Sequence, residues 1–351
     1  METLDPITID GRMGEGGGQV LRTSLALSLC TGRPLRVQHI RAARRKGGLM
    51  RQHLACVRAA MEISSADATG VELGSKELSL TPGTVRAGDY SFAVGSAGSA
   101  ALVLQTVLMP LLLAGGKSTV RIEGGTHNSW APPFDFLELS FMPLLARMGA
   151  QVDLELERVG FYPAGGGTIV ATIHPLGEAA QGPSPLVLLE RGASKQHYAI
   201  IRRAHLPASV ADREWEALRR VLHWELSQRR DVNHEESTGP GNAIHAVLPF
   251  EHVTEVVTSF GAKQRGAKFV ANDAAKEARR YLGGKAAVGR HLADQLLLPM
   301  ALLAGGEFST LPPTRHTKTN IDVIHAFLPD RIRLDEESAA ECHIEVGGRD
   351  S

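Results

Sequence analysis

At 351 residues the chain exceeds what one hydrophobic core usually holds, so two or more domains are expected. Its 38 Lys plus Arg balance 38 Asp plus Glu, which excludes a global basic field; any polyanion has to be held by a local patch. Hydrophobic residues at 43% and charged residues at 22% are ordinary for a globular protein.

Residues 1–11 carry neither a basic start nor an apolar core, so no signal peptide is read there. The most apolar stretch, 100–114, is shorter than the roughly 20 residues a bilayer needs, and Gln105 and Pro110 interrupt it. No membrane is expected as a partner, and no obligate protein partner is evident. Cys30, Cys56 and Cys342 lie far apart without metal-ligand spacing, which fits a cytoplasmic chain with no structural zinc.

A glycine-rich turn, an apolar helix, a closing glycine and a β-like run recur three times along the chain. The first copy is Gly16–Gly18, a helix over 19–31, Gly32 and a strand over 34–37. Helices over 48–66 and, past the next repeat, 132–148 follow the apolar stripes. The second copy is Gly95–Gly98, helix 99–114, Gly115–Gly116 and strand 118–122; strands 152–156 and 167–173 come after it. The third is Gly289, helix 291–304, Gly305–Gly306 and strand 308–311, and it shares the phrase Leu-Leu-Ala-Gly-Gly with the second. Glycine after each helix relieves the left-handed position that ends it. Three such units imply a pseudo-symmetric α/β (α+β) arrangement. The stretch 186–282 breaks the pattern with a strand (197–202), a charged helix (209–226), a polar loop (229–241), an apolar run (243–250) and a second helix (266–282). It reads as a small α/β domain inserted before the third repeat, leaving 1–185 and 283–351 as the large domain. Residues 312–320 read as a polar loop, and the acidic tail from 335, with a short strand over 342–346, as a fraying end.

The segment Asp10 to Arg22 is a glycine-rich turn opening a helix, a place where backbone amides bind phosphate oxygens well. No Gly-Lys-Ser/Thr follows, so it is not a Walker loop. Glu15 beside such a turn either shares a cation such as Mg²⁺ with the phosphates or complements the helix dipole. Arg41, Arg44, Arg45, Lys46 and Arg51 place five cations within eleven residues, either to hold nucleic-acid phosphates or as a solvated face. No aromatic residue is interleaved, which argues against base stacking. Residues 124–133 end in Pro132-Pro133, a rigid apolar face for a purine or simply a helix start. Asp294 and Gln295 sit just before an apolar run, and the chain's return permits His316 to lie beside Asp294. Zincin and hydrolase motifs are absent.

Taken together these phrases resemble the RNA 3′-terminal phosphate cyclase family. The resemblance rests on Gly14 to Arg22, Ile40-Arg41-Ala42, Gln52-His53-Leu54, Gly95 to Ser99 with Gln105, Gly124-Gly125-Thr126 with Ala131-Pro132-Pro133, Gly160 to Gly167, Leu292 to Pro299, and His316 with Thr319-Asn320, in family order over about residues 7 to 330. It implies an enolpyruvyl-transferase-like large domain of three repeats with an inserted smaller domain. It also implies ATP as substrate, Mg²⁺ or Mn²⁺ as cofactor and an RNA with a 3′-terminal phosphate as partner. His316 would be the adenylylated nucleophile, with Asp294 holding its other ring nitrogen. Gln105, Pro132, His291, Leu292, Ala293, Asp294 and Gln295 would contact ATP, with Pro132 against adenine. Glu15 would be the metal-binding acid, and Arg22, Arg41, Arg44 and His53 are the candidates to grip RNA phosphate. Two departures stand out: His291 replaces the family's usual Tyr, and Gly47-Gly48-Leu49 after Lys46 replaces its Pro-Gly-Leu. Scaffold relatives in ribosomal RNA processing lack the nucleophile, and the presence of His316, Asp294, Gln295 and Glu15 disfavours that reading. Enolpyruvyl transfer would not need the His316 segment.

Overall fold

The computed structural model describes residues 5–176, 182–336, 338 and 340–348, so part of the N-terminal segment and the last three residues of the tail lie outside it. Strand β1 (Ile7–Asp10) runs through the glycine turn into α1 (Gly18–Thr31). Strand β2 (Leu35–Gln38) returns parallel to it, and α2 (Arg51–Ser64), β3 (Asp67–Thr69) and β4 (Leu78–Thr81) follow. The sheet order is β1-β2-β4-β3. Burial alternates along β1, β2 and β4, so one face is covered and the other is not.

The same β-α-β-α-β-β path then repeats. Strand β5 (Asp89–Ala93), α3 (Ala100–Leu112) and β6 (Ser118–Gly124) lead to a helical segment. That segment is α4 (Phe134–Phe136), a π turn (Leu137–Phe141) and α5 (Met142–Arg147), and β7 (Val152–Arg158) and β8 (Gly167–Ile173) close the unit in the order β5-β6-β8-β7.

The third unit starts with β9 (Leu186–Leu188) and is interrupted at once by the insert. The insert comprises β10 (Tyr198–Ala204), α6 (Ala208–Leu222), β11 (Arg229–Asn233), β12 (Gly241–Pro249), β13 (Thr254–Phe260) and α7 (Ala267–Gly283). Its sheet runs β11-β10-β12-β13, and Trp215, Leu218, Ile244 and Tyr281 belong to its own core. The third unit resumes with α8 (Arg290–Leu302), β14 (Gly305–Thr310), α9 (Arg315–Phe327), β15 (Ile332–Asp335) and β16 (Cys342–Gly347), ordered β9-β14-β16-β15. In all three units the first two strands are parallel and the remaining pairings antiparallel. Helices α1, α3, α8 and α9 contribute Leu25, Leu104, Leu296 and Ile324 to one shared core. Every residue of α3 except Gln105 is buried. Among the described residues no helix is long and apolar enough to cross a membrane.

Four expectations change. Leu186–Leu188, counted with the insert on sequence, pairs with Gly306–Phe308 of β14, so the insert lies inside the third unit and not before it. Three residues are too few to show a period, and their partner is more than a hundred residues away. The polar loop 229–241 begins with β11, whose charged residues suit an edge strand. The polar stretch 312–320 is not all loop: α9 starts at Arg315, capped by Thr314 Oγ1, which accepts the Thr317 N–H at 3.1 Å. Its buried face opens with Thr317, Thr319 and Asn320, so an apolar stripe appears only at Ile321. The tail, expected to fray, is held where its expected short strand is present as β16, between β14 and β15.

Candidate active site

The glycine turn after β1 presses against α9. Gly14 takes a φ of +55°, and a Cβ there would lie 1.9 Å from Thr319 Oγ1. The Glu15 N–H donates to that same hydroxyl at 3.2 Å. Gly18 then opens α1 where a Cβ would lie 2.3 Å from His53 Nε2. None of α1, α8 and α9 carries an acidic residue in its first turn, so their positive ends stay available to an external anion.

The first turn of α9 carries His316 towards α1. His316 Nδ1 lies 2.8 Å from Gln19 Oε1, and Gln19 Nε2 donates to Asp294 Oδ1 at 2.7 Å. Gln295 Nε2 donates to Asp294 Oδ2 at 3.1 Å, and Gln105 Nε2 donates in turn to Gln295 Oε1. This corrects the expectation that Asp294 holds the imidazole directly: Gln19 stands between them. Because the Gln19 amide gives its N–H to a carboxylate, its oxygen faces His316, and Nδ1 carries a proton. Burial pushes the Asp294 carboxyl up, opposed by the Gln19 amide and by the charges of His316 and Arg22. Asn320 locks the assembly, donating to the Asp294 carbonyl at 3.0 Å and accepting from Thr23 Oγ1 at 2.8 Å. Sequence reasoning passed over Gln19. The available signal was its place as the one polar residue between the last glycine of the turn and the apolar start of α1.

These side chains line a cavity of about 530 Å³, together with Arg22, Pro132 and His291. That size suits a mononucleotide-scale ligand. Leu292 and Ala293, expected among the nucleotide contacts, do not line it; both are fully buried in the core, backbone included. Among the described residues Arg22 has no hydrogen-bond or ion-pair partner, and burial lowers its pKa, which leaves a half-buried cation at the cavity wall. Such a group calls for an anion. The far wall comes from the insert, through Val256, Thr258, Ser259 and Phe260 of β13, and no sequence signal had placed them there.

Outside the cavity lining, around the glycine turn, lie Glu15, Arg41, Arg44 and His53. Glu15 is ion-paired to Arg44, and its other oxygen lies 2.7 Å from His316 Nε2. Arg41 donates to the carbonyls of Lys46 and Gly48 at 2.8 and 3.1 Å, so it braces its own loop. His53 Nδ1 accepts the Met50 N–H at 3.2 Å; burial first, then Arg22 and Arg41, push its pKa down to about 3. It is therefore a neutral donor at Nε2. Glu15 also fits a divalent cation, because Mg²⁺ usually takes one or two carboxylates and completes its shell with substrate phosphates.

A triplicated α/β body with an imidazole at the meeting of helix N-termini, over a nucleotide-sized cavity, is what this fold and site define. The model of the RNA 3′-terminal phosphate cyclase family matches residues 13–334, and the chain belongs to that family. It is 50% identical over 334 residues to a protein named RNA 3′-terminal phosphate cyclase from Koribacter versatilis, covering 95% of this chain and 93% of the relative. It is 49% identical to one of the same name from Ralstonia nicotianae, covering 95% of each. With the Salmonella agona relative of that name it shares 46% over 98% of both. Among solved structures, the enolpyruvyl transferase NikO from Streptomyces tendae is matched at 10% identity and a TM-score of 0.36, over 98% of this chain and 48% of that one. So low a score bears no weight; the threefold repeat stands on its own strand pairing.

Proposed function

We propose that the chain uses ATP to convert an RNA 3′-phosphate into a 2′,3′-cyclic phosphate, through a covalent His316–AMP adduct, in the cytoplasm where ATP and RNA ends meet. The observation that carries this is the relay Gln105–Gln295–Asp294–Gln19–His316 along the cavity wall. Donors in this chain point from both ends towards Asp294. Positive charge developing on the imidazole is thereby met by an oriented dipole and, behind it, a carboxylate.

With Nδ1 committed to Gln19, Nε2 supplies the lone pair that attacks the α-phosphorus, and pyrophosphate leaves with its electron pair. Before that attack Glu15 takes the proton from Nε2, passes it to water and turns away, which frees the lone pair. Glu15 would hold Mg²⁺ or Mn²⁺ together with triphosphate oxygens, a cation that neutralises charge on the leaving group when bound. An oxygen of the RNA 3′-phosphate then displaces the imidazole and takes AMP. The neighbouring 2′-hydroxyl attacks the RNA phosphorus, gives up its proton, and AMP departs. The last step asks little of the protein, because nucleophile and phosphorus share one ribose and the effective molarity is high. Pro132 and His291 are the cavity residues assigned to adenine. Arg22, assisted by neutral His53 and by Arg41 and Arg44 around the glycine turn, is assigned to the terminal phosphate.

The test is incubation with Mg²⁺ and α-labelled ATP. Label stays on the protein through alkali and is lost in acid, as for a phosphoramidate, and His316→Ala abolishes it. A wild-type chain that binds ATP yet takes no label would point instead to a scaffold.

A further inference from the structure

A second polar cluster lies outside the relay, between the three-unit body and the insert. Asp135, fully buried on α4, faces the body on one side and the insert on the other. From the body, His127 Nε2 lies 2.7 Å from its Oδ2. From the insert, Arg202 Nε on β10 donates to both oxygens at 3.0 and 2.9 Å, and His245 Nε2 on β12 lies 3.4 Å from Oδ2 without a hydrogen bond to it. Each histidine is oriented by its other nitrogen, His127 by Thr126 Oγ1 at 2.8 Å and His245 by Thr258 Oγ1 at 2.9 Å.

Both ends of this cluster reach the nucleotide cavity. Thr258 itself lines the cavity on the insert side. Pro132, Pro133 and Phe136, immediately around Asp135 in sequence, line it on the body side. The exposed Trp130 stands on the same lip, held at a φ of +68°. His127 is fastened further back, since Thr126 Oγ1 also accepts the Gly160 N–H at 3.0 Å.

Two imidazoles and a carboxylate within 4.8 Å of one another also make a conceivable metal set. The balance of charge argues against it: the Arg202 guanidinium already occupies both carboxylate oxygens, and a dication beside it would leave buried charge uncompensated.

We propose that Asp135 is a positioning residue for the nucleotide site, the centre of a latch with His127, Arg202 and His245 that holds insert strand β13 opposite the Pro132–Phe136 lip. The effect on ATP rests on the reading of the cavity given above; the latch itself does not. The insert thereby supplies the fourth wall of the cavity, and breaking the latch loosens ATP without touching the reacting groups.

The experiment uses the full chain with Arg202→Met, Asp135→Asn and the double variant, read by hydrogen exchange without nucleotide and by steady-state kinetics. Arg202→Met speeds amide exchange in residues 126–133 and 254–260, raises KM for ATP about tenfold and leaves kcat within about threefold. The double variant recovers part of the loss, because neither charge is then left alone. Should Arg202→Met fail to fold, Arg202→Lys, which keeps the charge but loses the Nε donor shared by both carboxylate oxygens, gives the same pattern at smaller size. Unchanged exchange and KM in folded variants, a fall in kcat alone, or one equivalent of transition metal whose removal by chelator reproduces the loosening would each overturn the latch. A wild-type chain that ATP never saturates overturns the cavity reading instead, and the exchange measurement still decides the latch.

Discussion

Two carboxylates, Asp294 half-buried on the cavity wall and Asp135 fully buried, sit in the same molecule under opposite regimes. Asp294 receives only neutral amide donors, and burial drives its carboxyl up. Burial pushes Asp135 the same way, yet His245, His127 and Arg202 outweigh it and hold the carboxyl well below its usual range. A carboxylate cancelled by an adjacent guanidinium has little field left to act on anything else, whereas one ringed by amides passes its field outward along them. The first arrangement suits a joint, and the second suits a site where charge has to appear and vanish.

Asp294→Asn gives the largest expected effect. An amide at 294 turns a donor towards Gln19, reverses that side chain and leaves Nδ1 of His316 facing a donor. The rate of His316 labelling then falls by about 10² to 10⁴ with the melting temperature nearly unchanged. Asp135→Asn behaves the other way, costing about 3 kcal/mol in urea unfolding while labelling at saturating ATP stays within a few-fold. A labelling collapse in the second variant, or an unfolded first variant, would break the contrast. Gln19→Ala comes next, at roughly 10 to 10²-fold, since a water replaces the lost acceptor imperfectly. No change in rate would remove Gln19 from the relay.

How much of this the sequence disclosed follows from how local each signal is. The repeat showed through because each helix ends at glycine, a feature carried by neighbouring residues. Gln105 stood out as a polar residue in an apolar run, and it alone on α3 escapes burial. His316 and Asp294 were legible through the family resemblance, but the amide between them was not, because Gln19 lies 275 residues from one and 297 from the other. The latch was invisible for the same reason: Asp135 and Arg202 are 67 residues apart and neither belongs to a motif. Strand β9 and the start of α9 escaped because three residues, or a buried face made of Thr and Asn, carry no hydrophobic period.

Glu255 on β13 sharpens the contrast from a third position. Its carboxylate accepts the Gly289 N–H at 3.0 Å, at the start of α8, and burial, opposed by that bond and by the charge of Arg191, pushes its pKa up to about 8. With the folded value above the ordinary 4.5, its contribution to stability is fully present below pH 4.5 and is lost as pH rises through 8. Relative to Glu255→Gln, the wild-type chain therefore loses on the order of 3 kcal/mol between pH 5 and 9. Urea unfolding of both proteins across that range checks this, and parallel curves would mean that the carboxyl ionises as freely folded as unfolded.

The smallest effect is expected at His53. Its folded pKa of about 3 makes it neutral throughout the working range, so the RNA phosphate proposed to bind there would meet an N–H and no charge. His53→Gln preserves a donor and should raise KM for RNA only about threefold, against a larger loss for Arg22→Ala, which removes the unpaired cation. The pH profile separates the two readings of the site. A cationic His53 would tighten RNA binding as pH falls from 7.5 to 5.5; the neutral one leaves wild type and His53→Gln with the same slope. Stability moves instead: a depressed histidine contributes above its unfolded pKa near 6.5 and loses that contribution as pH falls towards 3. Between pH 7 and 4 the wild-type chain should thus lose more stability than His53→Gln, and an equal loss would place the imidazole in contact with water.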